Sequence, residues 1–202
     1  MLLSELITEL QYRVEDDSDN SRFPEDQKIN AINNAYYTLL AIVSDKDLNK
    51  FRLTKSTYAF TPDRTLPYSI SSVDTSDPIL RIANAYDVIN FKECKIVSKD
   101  ELFSSGPNYK YGILLAVSRE YVSDADKFIL YANPSETARL HLWSNQSVSN
   151  LGVNNEYPIT EALKPTILGM AESELWRSDN DPTRAKEAYA EAINILQAQE
   201  GK

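Results

Sequence analysis

Apolar residues recur at helical spacing towards both ends of the chain and at strand spacing in its middle. Near the start, Leu3, Leu6, Ile7, Leu10 and Val14 share one side of a helix. Glu5, Thr8 and Glu9 take the other side, and Ser4 is placed as its N-cap. The polar run Glu15 to Ser21 stops this helix and forms a loop. A second helix is predicted from about Pro24, where proline suits the first turn and Glu25 and Asp26 complement the positive end of the helix dipole. Its apolar stripe is Ile29, Ile32, Tyr36, Leu39, Leu40 and Val43. Neither helix is stable alone, so the apolar faces of this antiparallel hairpin need a further partner.

From about Phe51 the period changes. Phe51, Leu53, Tyr58 and Phe60 lie among Thr, Lys and Ser, which favours half-buried strands. Further strands are predicted over 79–83, 85–97, 109–117, 127–132 and 137–143. Turn chemistry separates them at Thr61-Pro62-Asp63, Ser76-Asp77-Pro78, Ser105-Gly106-Pro107-Asn108 and Ala132-Asn133-Pro134-Ser135. Alternation in Arg139 to Trp143 turns His141 away from the side taken by Leu140 and Leu142. The expected product is a short antiparallel sheet, closed as a small barrel or packed as a sandwich.

After the polar loop 144–155, helical spacing returns. Thr160 is placed as a cap, Pro165 lies early in the helix, and Leu163, Ile167, Met170, Ala171 and Leu175 form its apolar face, with Trp176 at the end. Asp181-Pro182 opens a second helix as N-cap and first-turn proline, and Ala185, Ala188, Tyr189, Ala192, Ile195 and Leu196 continue the stripe. The fold class expected is therefore α+β. N- and C-terminal helix pairs (1–48 and 156–202) complete one antiparallel helical bundle, and an antiparallel β-sheet domain (49–155) is inserted between them.

Composition narrows the functions open to such a fold. With 202 residues, 42% of them hydrophobic, the chain can bury a real core. Its longest apolar runs, 36–43 and 113–117, are too short to cross a bilayer. The opening Met1 to Glu5 lacks the basic region of a secretory signal, so the expected site of synthesis is the cytoplasm. The net charge of −9, with basic residues scattered singly among acids, disfavours a protein that grips nucleic-acid phosphates.

Candidate chemistry is sparse. Cys94, the single cysteine, reads as a small buried hydrophobe in a strand, and the one histidine, His141, leaves little to activate it as a nucleophile. Five dispersed glycines form no phosphate loop, and one histidine makes no histidine-based metal site. The run Asp16-Asp17-Ser18-Asp19-Asn20 resembles the start of a calcium loop but lacks the glycine and the closing glutamate that such loops need, so a solvated loop is favoured. No catalytic residue, metal or cofactor is expected. Carboxylate pairs suited to glycoside hydrolysis are available among 30 acids, but no motif places one. Twelve tyrosines against six phenylalanines suit either sheet edge and core positions or a surface between subunits.

The segment Phe23 to Tyr36, with Ile32-Asn33-Asn34-Ala35-Tyr36, resembles the second helix of the head-to-tail adaptor (head–tail connector) proteins of tailed bacteriophages, and Leu3-Ser4-Glu5-Leu6-Ile7 is similar to their first. Ala171 to Trp176, then Asp179-Asn180-Asp181-Pro182 and Ala185-x-x-Ala188-Tyr189, look like their C-terminal helix pair. Ile79-Leu80-Arg81-Ile82 and Phe128 to Pro134 match their β insert in kind. The resemblance implies a virion structural protein at the neck rather than an enzyme. It implies a dodecameric ring of self-associated subunits beneath the portal protein, extending the channel through which DNA passes without specific binding and docking tail or nozzle proteins. It points to Ile195, Leu196, Gln197, Gln199 and Lys202 as portal contacts. The loop residues Gln146, Val148, Asn150, Leu151 and Val153 are candidate tail contacts. A tail or baseplate component, or another protein-binding module without enzymatic activity, would have the same composition.

Overall fold

A computed structural model describes residues 1–16, 21–60, 68–70, 79–105, 113–122, 125–133, 137–146, 148 and 151–200. The expected turns at 61–63, 76–78, 106–108 and 134–135, the strand start at 109–112 and the acidic stretch 17–20 lie outside the described residues. The protein is mixed α+β, with five α-helices and two sheets among the described residues. The chain divides into two compact units, residues 1–52 with 148–202 and residues 53–147. Segments 49–52 and 148–155 thus fall in the first unit rather than with the sheets.

The first unit holds α1 (Leu3–Arg13), α2 (Glu25–Ile42), α4 (Lys164–Ser178) and α5 (Pro182–Glu200). Pro24 precedes α2, and the Asp181 carboxylate accepts the Arg184 N–H at 3.1 Å to cap α5, as its sequence predicts. Ser4 is not a cap. Helix α1 begins one residue before it, the Glu5 side chain accepts the Leu2 N–H at 2.8 Å, and the Leu3 and Ser4 N–H groups donate to the carbonyls of Asn155 and Val153. The loop thereby satisfies donors that a helix start leaves open.

Helix α4 packs against α1, α2 and α5 and is buried over most of its circumference. Where α4 meets α5 the backbones come close: a Cβ on Gly169 would lie 3.0 Å from the Ala192 Cβ. Tyr36 centres an aromatic cluster, with the Tyr37, Phe51 and Tyr157 rings all edge-on to it at 5.6–5.8 Å. The Tyr157 hydroxyl lies 3.2 Å from the Ile32 carbonyl and 3.1 Å from the Asn33 amide oxygen. The segments leading into and out of the insert run side by side, joined by the Phe51–Ile159 bridge and the Arg52 N–H on the Pro158 carbonyl.

The second unit holds two four-stranded sheets. One has the order β1 (Thr54–Phe60), β8 (Ala138–Gln146), β3 (Ile79–Asp87), β4 (Lys92–Glu93). The other runs β2 (Tyr68–Ile70), β7 (Ala125–Asn133), β6 (Leu114–Val122), β5 (Lys95–Ile96). The sheets share one core, in which Ile82, Ala85, Leu140 and Leu142 of the first meet Leu115, Leu130 and Ala132 of the second. The outer face of the second sheet is covered by α3 (Lys99–Ser104), whose Leu102 packs on Leu114, Ala116, Ile129 and Tyr131.

Two expectations are corrected here. Pairing is not wholly antiparallel: β5 and β6 run parallel, because α3 crosses over between them. Residues 85–97 are not one strand. The buried Asp87 carboxylate accepts N–H groups from Ile89, Arg139 and the Asn90 amide, which folds 88–91 into a turn; the chain then changes sheets at Cys94.

Gly169→Val should lower the free energy of unfolding by about 1–3 kcal/mol, because the new side chain would overpack against Ala192. Urea unfolding followed by circular dichroism measures this, and an unchanged midpoint would mean that the α4–α5 seam has room to spare.

Candidate functional site

The residues that the resemblance singles out are mostly bound up within the helical unit. On α5, Leu196 is buried, Ile195 and Gln199 are half-buried, and Gln197 is exposed. The Gln199 side-chain amide donates to the Ala162 carbonyl at 2.7 Å, and the Gln199 carbonyl accepts from Lys50 at 3.3 Å. In the loop, Val148 is fully buried and its N–H donates to the Tyr37 hydroxyl at 3.1 Å. The Leu151 N–H returns to the Val148 carbonyl, and the Val153 carbonyl holds Ser4. Leu196 and Val148 are therefore core positions with almost no surface to offer a partner. Gln197, with the half-buried Leu151 and Val153, retains some. Gln146 ends β8 in the other unit, and Asn150 and Lys202 lie outside the described residues.

The candidate chemistry resolves into structural roles. Cys94 sits in the core shared by the two sheets, where burial first, then the charges of Asp87 and Glu93, push its thiol up to about 12 and hold it protonated. Among the described residues, no group of three or more His, Cys, Asp or Glu side chains gathers as a metal ion would require.

Asp16 is a buried anchor for its loop, not a solvated acid. Its carboxylate meets the Lys28 ammonium at 2.7 Å, both side chains nearly excluded from water. It also accepts the Ser21 hydroxyl at 2.6 Å and the N–H groups of Arg22 and Phe23. Burial pushes this carboxyl up, but Lys28, Ser21 and the two backbone donors outweigh it and hold the group down at about 2.

Surface character differs between the units. The helical unit carries 11 Lys and Arg against 19 Asp and Glu, whereas the β unit carries 10 against 11. A cleft of about 310 Å³ on the helical unit is lined by Trp176 and Ala188, by Glu15, Glu172, Glu187 and Glu191, and by Arg13 and Arg184. Arg22 and Arg184 both lie over the Trp176 ring, at 5.3 and 4.7 Å from its centroid.

The β unit presents a different surface. On the outer face of the first sheet, Thr57, His141, Tyr86 and Glu93 stand in one row, and Lys55, Trp143 and Asn84 in the next. Lys55 lies over the Trp143 ring at 6.0 Å, and His141 meets that ring edge-on. His141 is half-buried beside the fully buried Leu140 and Leu142, as the alternation predicts. At the end of this face the 88–91 turn projects Ile89 and Phe91, the latter 79% exposed and in the left-handed region at φ 54°. Sequence reasoning missed this surface because a continuous strand was expected there; Asp87 and Asn90, both turn formers, were the available signal.

No family model matches the chain, and no curated protein does.

The Asp16 carboxylate stabilises the folded state most fully above its ordinary value of 3.8, and this contribution is lost as pH falls through about 2. Asp16→Asn should therefore remove about 2 kcal/mol of the acid-induced loss of stability over that window. Urea titrations at pH 5 to 2 measure it, and identical profiles for the two proteins would contradict the assignment.

Proposed function

We propose that this chain is a head-to-tail adaptor of a tailed bacteriophage, a virion structural subunit that forms a ring, dodecameric by the resemblance, beneath the portal protein. In this reading the N- and C-terminal helix pairs make one antiparallel bundle that carries an inserted β domain. The ring extends the DNA channel at the neck of the virion and offers tail or nozzle proteins a platform.

The observation that supports the reading most is the order of elements. Two helices before the insert and two after it share one compact unit, while residues 53–147 form a second, as the resemblance implies. The net charge fits the same role, because a channel that passes DNA must not hold its phosphates. Ring closure requires two different complementary patches on each subunit, and the acidic helical unit and the aromatic sheet face differ in the required way.

Negative-stain electron microscopy of the concentrated protein, alone and mixed with portal from the same phage, tests the proposal. Rings that stack on the portal are expected. Particles that stay monomeric with portal present would overturn the adaptor assignment in favour of a tail, baseplate or other binding module.

A further inference from the structure

The geometry points to the outer face of the first sheet, together with the 88–91 turn, as the surface by which one subunit docks on the acidic helical unit of a second copy of this chain. This rests on the ring-forming role proposed above and assigns one of its two patches.

The face is built as a contact surface. Sheet alternation sends Leu140 and Leu142 inward and Arg139, His141 and Trp143 outward, so aromatic and cationic groups collect on one side. Tyr, Trp and Arg are enriched among the few side chains that carry most of the binding energy at protein interfaces. Phe91 adds an apolar tip. A bulky residue in the left-handed region persists only where its surroundings hold it there, and the Asp87 network holds the turn on both sides. The tip adjoins the face directly, since the Val88 N–H donates to the Arg139 carbonyl. On the second sheet α3 packs over Leu114, Ala116, Ile129 and Tyr131 of the outer face; on the first, Lys55, Thr57 and Arg139 are exposed.

Charge identifies the occupant. Lys55 and Arg139 outnumber Glu93 among the residues named on this face, in a chain whose helical unit carries a net charge of −8. A neighbouring copy therefore offers complementary charge, with Glu187 and Glu191 exposed on α5 beside the Trp176 cleft. The contact is heterologous, sheet face to helix face, which is the kind that closes rings.

A charge swap tests this in the full chain. Lys55→Glu with Arg139→Glu, and separately Glu187→Lys with Glu191→Lys, should each raise the concentration needed for ring assembly by about a hundredfold, taking about tenfold per reversed pair. The four-fold variant should regain assembly near the wild-type concentration. All variants should melt with the wild type by circular dichroism; if a reversal unfolds the protein, the glutamine versions at the same positions take its place. Wild-type rings with both reversals assembling unchanged would overturn the inference and leave the adaptor reading standing. So would loss of assembly in the sheet variant without rescue in the four-fold swap, or wild-type binding to a fluorescent single-stranded oligonucleotide that the sheet variant loses while still forming rings. A wild-type protein that forms no ring even with portal would overturn the adaptor reading, and this inference with it.

Discussion

Helix α4 has to be enclosed, and the rest of the helical unit follows from that requirement. Nine of its fifteen residues, between Thr166 and Trp176, are buried, and so broad an apolar circumference is stable only with partners on several sides. Helices α1 and α2 supply two of them from before the insert, and α5 supplies the third from after it. The chain must therefore return to where it left. The Phe51–Ile159 bridge and the ladder from Arg52 to Pro158 mark that return, bringing the two connecting segments together at one edge of the unit. A β-rich insertion can then be carried without interrupting the helical core.

Two polar clusters inside the helical unit tie its segments together. The Tyr157 hydroxyl reaches α2 at Ile32 and Asn33 while its ring packs on Tyr36, so one side chain ties the return segment to α2 through both packing and hydrogen bonding. Asp16 and Lys28 bring two charges out of water, and the additional donors from Ser21, Arg22 and Phe23 offset the desolvation that such a pair suffers. Together they tie the end of α1 to the start of α2. The residues expected to reach a portal or a tail partner fall partly inside this same fabric. Leu196 and Val148 contribute to the core, and Gln199 holds Ala162 and Lys50.

The β unit divides its two sheets differently. One sheet packs on its partner sheet and, at Leu114, Ala116, Ile129 and Tyr131, on α3, while the other has one face in the core and one carrying aromatic and cationic side chains. The excess of acid over base is almost confined to the helical unit, which gives one polypeptide two surfaces of unlike character.

Sequence by itself determined the local elements: the helices from their 3.6-residue stripes, the starts of α2 and α5 from Pro24 and Asp181-Pro182, and the inward side of β8 from strict alternation around His141. These depend on neighbours a few residues apart, so their signals survive in a linear string. Tertiary structure decided what depended on distant partners. It set which sheet each strand joined, since β5 had to run parallel to β6 once α3 crossed between them, and it set the turn at 88–91, where Asp87 is completed by a backbone donor from Arg139. It also buried Leu196 and Val148 and took Asp16 out of water, because each meets groups supplied from elsewhere in the fold. Periodicity can say that a residue belongs to an apolar face, but only the packed neighbours decide whether that face is closed against the protein or left for another molecule.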